Sequence, residues 1–208
     1  MSKRRHPHPP APSPLSREKG ERRPSPYLRE RAAKGRVRVI TQLGMPVLRQ
    51  VSKRLSVPLT KAHERLIDDM LVTMKKARGV GIAAPQVGVG LRLFIVAPEP
   101  SSRYPRAPRM PPVAMMNPVL VKHSQKMVTD WEGCLSIPGL RGRVPRYQSV
   151  EVEFTARDGR RLRAEMTGFI ARIFQHEFDH INGHVFIDRV QDTRTFVTEA
   201  EYRKLMHG

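Results

Sequence analysis

His176 and His180 stand four residues apart in the stretch QHEFDHING, Gln175 to Gly183, and this spacing limits what the surrounding chain can become. On an α-helix, residues i and i+4 share one face and lie about one turn apart, so the two imidazoles can close on a single point. Glu177 is rotated by about 100° from His176, which brings its carboxylate beside that point without making it a ligand. This is the H-E-x-x-H pattern by which a helix holds a divalent metal and a general base together. A surface helix that happens to carry two histidines would show the same five residues, so context decides between that and a metal site completed by a third ligand from elsewhere.

At 208 residues the chain accommodates one domain with a sizeable core. Its apolar residues, 39% of the total, form no run near the roughly 18 that a membrane span needs. Cys134 is the only cysteine, which excludes an intramolecular disulfide and points to a reducing compartment. The net charge is +19, from 38 basic and 19 acidic residues, a balance that favours polyanions. Met1 to Arg36 carries +8 of it, with 7 of the 19 prolines and few large apolar side chains. Such a segment buries too little surface to offset its ordering entropy, so residues 1–36 are expected to be a disordered basic extension and residues 37–208 the folded domain. The extension lacks the apolar core of a secretory signal, and its prolines spoil an amphipathic transit helix. It suits a ribosome or RNA tether as well as an inert extension, and a basic nucleic-acid-binding protein is one reading of the whole chain.

Val37 to Leu48 reads as a short strand and turn. Thr60 then caps an amphipathic helix whose Leu66, Ile67, Met70, Leu71, Met74 and Ala77 recur at helical spacing, with Gly79 at the left-handed position that ends it. Leu91 to Val96 is a β-rich run, and the proline-rich segment from Pro98 to Pro112 is a surface loop. Val113 to Val121 and Met127 to Trp131 read as strands, with Asn117 and Pro118 opening a new one. Ser149 to Thr155 and the stretch around Leu162, Ala164 and Met166 alternate apolar and polar residues about Asp158-Gly159, a hairpin. The histidine helix begins near Phe169, and Thr198 caps a last helix reaching Met206. These elements predict an α+β domain: antiparallel β-sheets packed around a C-terminal helix carrying HEFDH, with one earlier amphipathic helix.

Two further blocks bear on the chemistry. GVGIAAPQVG, Gly79 to Gly88, approaches a dinucleotide fingerprint, but a helix precedes it and Pro85 and Gly88 obstruct a helix afterwards. What remains is small-residue backbone open to close approach, with the Gln86 amide as a donor. EGCLS, Glu132 to Ser136, holds the only thiol. A two-histidine site needs a third protein ligand, and a thiolate suits zinc or iron, yet a downstream carboxylate such as Asp188 or Glu199 would serve as well. Spacing alone does not choose, and a generic H-E-x-x-H peptidase stays open at this point.

GVGIAAPQ, EGCLS and QHEFDH, in this order and at these separations, resemble the motifs of the peptide deformylases, and the likeness extends through Asn117-Pro118, IPGLRGRVPR and Gly183 to Arg189, roughly Val37 to Val190. The resemblance implies metal ligation by Cys134, His176 and His180, leaving Asp188 and Glu199 as ordinary surface residues. It implies Glu177 as general base and then acid, with the Gln86 side chain and the Leu135 backbone N–H as oxyanion donors. Read from the residues themselves, the substrate-binding candidates are Val80, Leu135 and Phe169 as apolar walls, Gly81 as edge backbone, Arg172 one helical turn before His176, and Arg141 at the rim; Glu132 and Arg146, of opposite charge, can pair behind the cysteine loop, and Asp179 can orient a ligand histidine or only meet solvent. The implied reaction removes formyl from the initiator methionine of new polypeptides, using one divalent ion, Fe2+ in the cell with Zn2+, Ni2+ or Co2+ as substitutes. The implied partners are N-formylmethionyl nascent peptides and, transiently, the ribosome. A bacterial cytoplasm is the implied location, with an organelle as the alternative.

Overall fold

The computed structural model describes residues 35–101 and 104–207. The extension expected over residues 1–36 therefore lies outside the described residues except at its end. There, Gly35 lies against Asp68, and the Arg36 N–H donates to Asp69 Oδ1 at 2.7 Å, so residues 35 and 36 pack on the helix that follows.

Eight strands and three helices make up the described fold: β1 (Gly81–Ala83), β2 (Leu93–Val96), β3 (Val113–His123), β4 (Met127–Cys134), β5 (Ile137–Tyr147), β6 (Ser149–Thr155), β7 (Arg161–Thr167) and β8 (Val197–Thr198), with α1 (Lys61–Lys76), α2 (Gly168–Ile181) and α3 (Glu199–His207). One antiparallel sheet runs β1-β2-β3-β6-β7 and a second β4-β5-β8. The fold is α+β, as the pattern of elements predicts.

The run Leu93 to Val96 is buried at every position because the large sheet is covered on both faces. Leu93 and Ile95 pack with Leu66, Ile67, Met70 and Met74 of α1. Phe94 and Val96 point the other way, into a cluster with Val150, Val152, Ala164 and Met166 of the β6–β7 hairpin and Ala171, Ile173 and Phe174 of α2. Side chains alternate across a strand, so one four-residue segment ties two helices to one sheet, each fully buried side chain contributing about 1.5–3 kcal/mol. α2 also touches β5 of the second sheet.

Local signals explain the boundaries. The Thr60 side chain accepts from the His63 N–H at 3.3 Å, and the Thr60 N–H reaches back to His63 Nδ1 at 3.5 Å, so His63 takes part in the cap. At the other end of α1 the left-handed residue is Arg78, φ 54°, and not Gly79. The Gly79 N–H closes the turn onto the Met74 carbonyl at 3.0 Å, a Schellman cap displaced by one residue from the expected one.

Other expectations change as well. Val37 to Leu48 contains the expected turn, at Leu43-Gly44 with the Met45 N–H donating to the Gln42 carbonyl at 3.1 Å, but no strand, and a 3-10 turn follows over Pro46–Arg49; the Thr41 and Leu43 N–H groups donate to the Gln86 and Ser136 carbonyls at 2.8 and 2.9 Å. Asn117 and Pro118 do not begin a strand. They lie within β3 at a register shift, Asn117 adopting φ 48°, and the Asn117 amide exchanges two 2.8 Å hydrogen bonds with the Leu55 backbone. The strand expected to end at Trp131 continues to Cys134 and returns as β5, an element the sequence pattern does not announce.

Candidate metal centre

The β4–β5 hairpin brings Cys134 to its tip, pairing with Ile137 across Leu135 and Ser136. Facing it is α2, with His176 and His180 one turn apart, ring centroids 5.0 Å from each other and planes crossed at 80°. Cys134 Sγ is 3.2 Å from His180 Nε2, and one ligand atom from each of Cys134, His176 and His180 lies within 4.8 Å of the others. Among the described residues this is the only cluster of three such groups. Asp188 and Glu199, the carboxylates that spacing left open as third ligands, are elsewhere: Asp188 accepts from Arg49, and Glu199 holds Arg141. Glu199, expected to be a surface bystander, is thus an ion-pair partner of a buried arginine.

The donor set fits a divalent ion. Bonds of about 2.0–2.3 Å to nitrogen and sulfur place tetrahedral donors roughly 3–4 Å apart, the scale of this cluster, and thiolate with imidazole suits zinc or ferrous iron. The His176 Nδ1 is occupied by Glu132 Oε2 at 2.9 Å, which leaves its other nitrogen for the cluster. Burial alone would raise the Cys134 thiol, but the His180 charge and hydrogen bonds from both histidines hold it well below the usual thiol range.

Behind the ligands is a buried ionic chain. The Arg146 guanidinium donates to both Glu132 oxygens at 2.9 and 3.0 Å, the pair expected from the sequence, and to Asp179 Oδ2 at 2.5 Å. Asp179 does not orient a ligand histidine; it is pinned between Arg146 and Arg189. Burial would raise the Glu132 carboxyl, yet the Arg146 charge and the hydrogen bonds from His176 and Arg146 keep it far below the carboxylate range.

Glu177 is 3% exposed, and its Oε2 has no hydrogen-bond partner among the described residues. Burial pushes its pKa up to about 7, against the opposing pull of His176 and His180. A carboxyl poised near neutrality beside a metal cluster can both accept and return a proton. The Gln86 Oε1 accepts from the Ala83 N–H at 2.8 Å, which turns its Nε2 toward Cys134 Sγ and Ser136 Oγ, 3.4 Å from each. Ser136, fully buried, also donates its N–H to the sulfur at 3.4 Å. Sequence reasoning missed it, although it stands inside the EGCLS block.

Val80, Gly81, Gln86, Glu132, Cys134, Leu135, Phe169, Arg172, His176 and Glu177 line one cleft, together with Gly79, Tyr104, Trp131, Gly133 and Ile173. β1 is the terminal strand of its sheet, so Gly81 offers a free edge toward this cleft. Arg172 lines the cleft, and its guanidinium braces the wall by donating to Glu132 Oε1 at 2.8 Å and to the Val144 and Val128 carbonyls at 2.9 and 2.6 Å. Arg141 is not an open rim residue: it is 2% exposed and turned behind Gly133 onto Glu199, because α3 covers it.

A family model described as polypeptide deformylase matches residues 37–196. The chain is 53% identical to peptide deformylase 2 of Nostoc sp. over 167 residues, 80% of this chain and 93% of that protein. It is 43% identical to peptide deformylase 1 of Bordetella pertussis over 160 residues, 77% and 91% of the two chains. Among solved structures, the class I type b peptide deformylase of Acinetobacter baumannii with Met-Ala-Ser bound superposes with a TM-score of 0.72 at 40% identity, covering 74% of this chain and 98% of that one.

Proposed function

From the premise that the chain belongs to the polypeptide deformylase family, we propose how its own residues carry out the family's reaction, hydrolytic removal of the formyl group from the initiator methionine of newly made polypeptides. The family's enzymes are metal-dependent, and Cys134, His176 and His180 would hold the ion. When bound, a divalent metal polarises the formyl oxygen and lowers the pKa of water from about 15.7 toward 7. Ferrous iron is the proposed native metal, with zinc as a competent or competing substitute.

The observation that carries the reading is the closure of three sequence-distant ligands around Glu177. Glu177 takes a proton from the attacking water and returns it to the departing amine, a transfer typically contributing about 10² to 10⁴-fold. The backbone of Gly81 closes against one side of the carboxylate. The Gln86 amide, oriented by the Ala83 N–H, and the Leu135 N–H donate to the oxygen on which negative charge develops, each worth on the order of 3 kcal/mol. Val80, Leu135, Phe169 and Ile173 form apolar walls suited to an unbranched thioether side chain. The edge of β1 at Gly81 suits an extended peptide bound as an added strand.

No described helix is long and apolar enough to cross a membrane. A substrate that emerges from translation argues for a bacterial cytoplasm and for transient proximity to the ribosome. The test is formate release from a formyl-Met peptide by anaerobically purified protein with its metal measured in the same sample. Glu177→Gln is expected to retain metal and lose nearly all turnover; normal turnover in that variant would refute the assigned role.

A further inference from the structure

The residues matched by the family model stop at 196, yet the chain continues into β8 and α3, which fold back onto the rim of the cleft. β8 pairs with β5 through Leu140–Thr198 and Arg141–Val197. This places Glu199 against Arg141, whose Nε and Nη2 donate to its two oxygens at 2.6 and 3.3 Å. One turn later Tyr202 lies under the same guanidinium, 4.8 Å from ring centroid to Cζ, and packs edge-on against Trp131 at 5.6 Å. Trp131 lines the cleft, as does Tyr104, whose ring leans on Phe169 at 5.3 Å. Arg141 runs directly behind Gly133, where a Cβ would come within 2.9 Å of its Cδ.

The cleft is lined by Val80, Leu135, Phe169 and Ile173 and also by the aromatic side chains of Tyr104 and Trp131. With the formyl group at Cys134, the residues after methionine must lie along the rest of this lining, which includes Trp131 and, behind it, Tyr202. We infer that α3 sets the recognition of those downstream residues, Tyr202 propping Trp131 as an aromatic wall and Glu199 neutralising Arg141 so that this wall carries no free cation. Both act through another side chain and are positioning residues. The inference rests on the deformylase reading and extends it to the part of the substrate beyond the formyl-methionine.

The experiment compares kcat and KM on formyl-Met-Ala-Ser, formyl-Met-Asp-Ser and formyl-methionine amide, for wild-type protein, Tyr202→Ala, Glu199→Gln and Glu199→Asp. Losing one aromatic contact raises KM for the tripeptides by about 3- to 10-fold, with a smaller effect on the amide. Glu199→Gln shifts preference toward the Asp peptide, since a partly released guanidinium attracts a carboxylate, and Glu199→Asp restores the wild-type ratio. Trp131 is the only tryptophan, so its emission reports this wall directly, and Tyr202→Ala shifts it to the red. Losses shared equally by amide and tripeptides, or an unchanged Asp-to-Ala ratio in Glu199→Gln, overturn the inference while formate release still upholds the reaction. Wild-type protein that releases no formate removes both.

Discussion

A Cβ placed on Gly81 would lie 2.5 Å from Glu177 Oε1, so the backbone of β1 and the carboxylate of α2 meet with no side chain between them. The same Cβ would approach the Ile173 methyl at 2.9 Å. Gly81→Ala must therefore displace the carboxylate, which is the movable end of its side chain. Misplacement of a reacting group by about 1 Å can reduce rate by about 10²-fold. The expected outcome is a kcat reduced on that scale with metal content unchanged, read by formate release and elemental analysis. Wild-type kcat in Gly81→Ala would mean that Glu177 tolerates the shift and is not held by this contact.

Glu132 joins His176 to the buried Arg146 and Arg172. Glu132→Gln leaves two guanidinium groups short of charge in the interior, and breaking a buried pair from one side costs about 3–5 kcal/mol. Loss of such an outer partner also weakens metal binding by about 10- to 100-fold. The sign of the pH dependence follows from the depressed carboxyl: an unfolded glutamate takes up its proton near pH 4.3, whereas folded Glu132 stays ionised below that. Its contribution is complete above about pH 4.3 and falls away as pH drops through the folded value. Urea midpoints of wild-type and Glu132→Gln protein should therefore converge in acid and stand farthest apart above pH 5.

How much of this could be read from the chain differs by element. The three motif blocks, the α1 stripe and the Val150, Val152, Phe154 alternation were legible because each is a local pattern with a fixed period. β5 was not, because Pro138, Gly139, Gly142 and Pro145 interrupt any strand signal. It is a strand through its pairing with β4, a partner set by tertiary context. The grouping of Cys134, His176 and His180 was legible through motif resemblance, whereas the partner of Arg141 was not. Arg141 and Glu199 are 58 residues apart, and nothing local marks an arginine for burial. Asn117 misled for a different reason: its side chain copies a backbone hydrogen-bonding pattern toward Leu55, so a turn-like residue sits inside a strand.

Chelation under anaerobic conditions should abolish turnover, and ferrous iron should restore it. Because an ion that binds only the folded chain stabilises it by about 2.7 kcal/mol at 100 times its Kd, the melting temperature should fall on chelation and recover on reloading. Cys134→Ser replaces a sulfur whose pKa His180 and His176 lower with a harder, far less acidic hydroxyl. The expected result is metal loss during dialysis that wild-type protein survives. Retention of full metal by Cys134→Ser would mean that the sulfur is not a ligand.

Arg78 and Gly79 provide the sharpest contrast between stability and activity. Arg78 closes α1 at φ 54°, a conformation costing an ordinary residue roughly 1–2 kcal/mol that glycine adopts freely. Arg78→Gly relieves that strain but loosens the unfolded chain, so the net effect should range from neutral to a gain of about 1 kcal/mol, with turnover unchanged. Gly79 has the opposite profile. A Cβ there would press on Leu135 Cδ1 at 3.1 Å and on the Gly81 carbonyl at 3.3 Å, two parts of the cleft wall. Gly79→Ala should lower kcat/KM by displacing Leu135 and the β1 edge, with little change in the urea midpoint of α1. Steady-state assays and urea melts on the two single variants test the assignment; equal effects of both on stability alone would show that Gly79 serves only as the end of the helix.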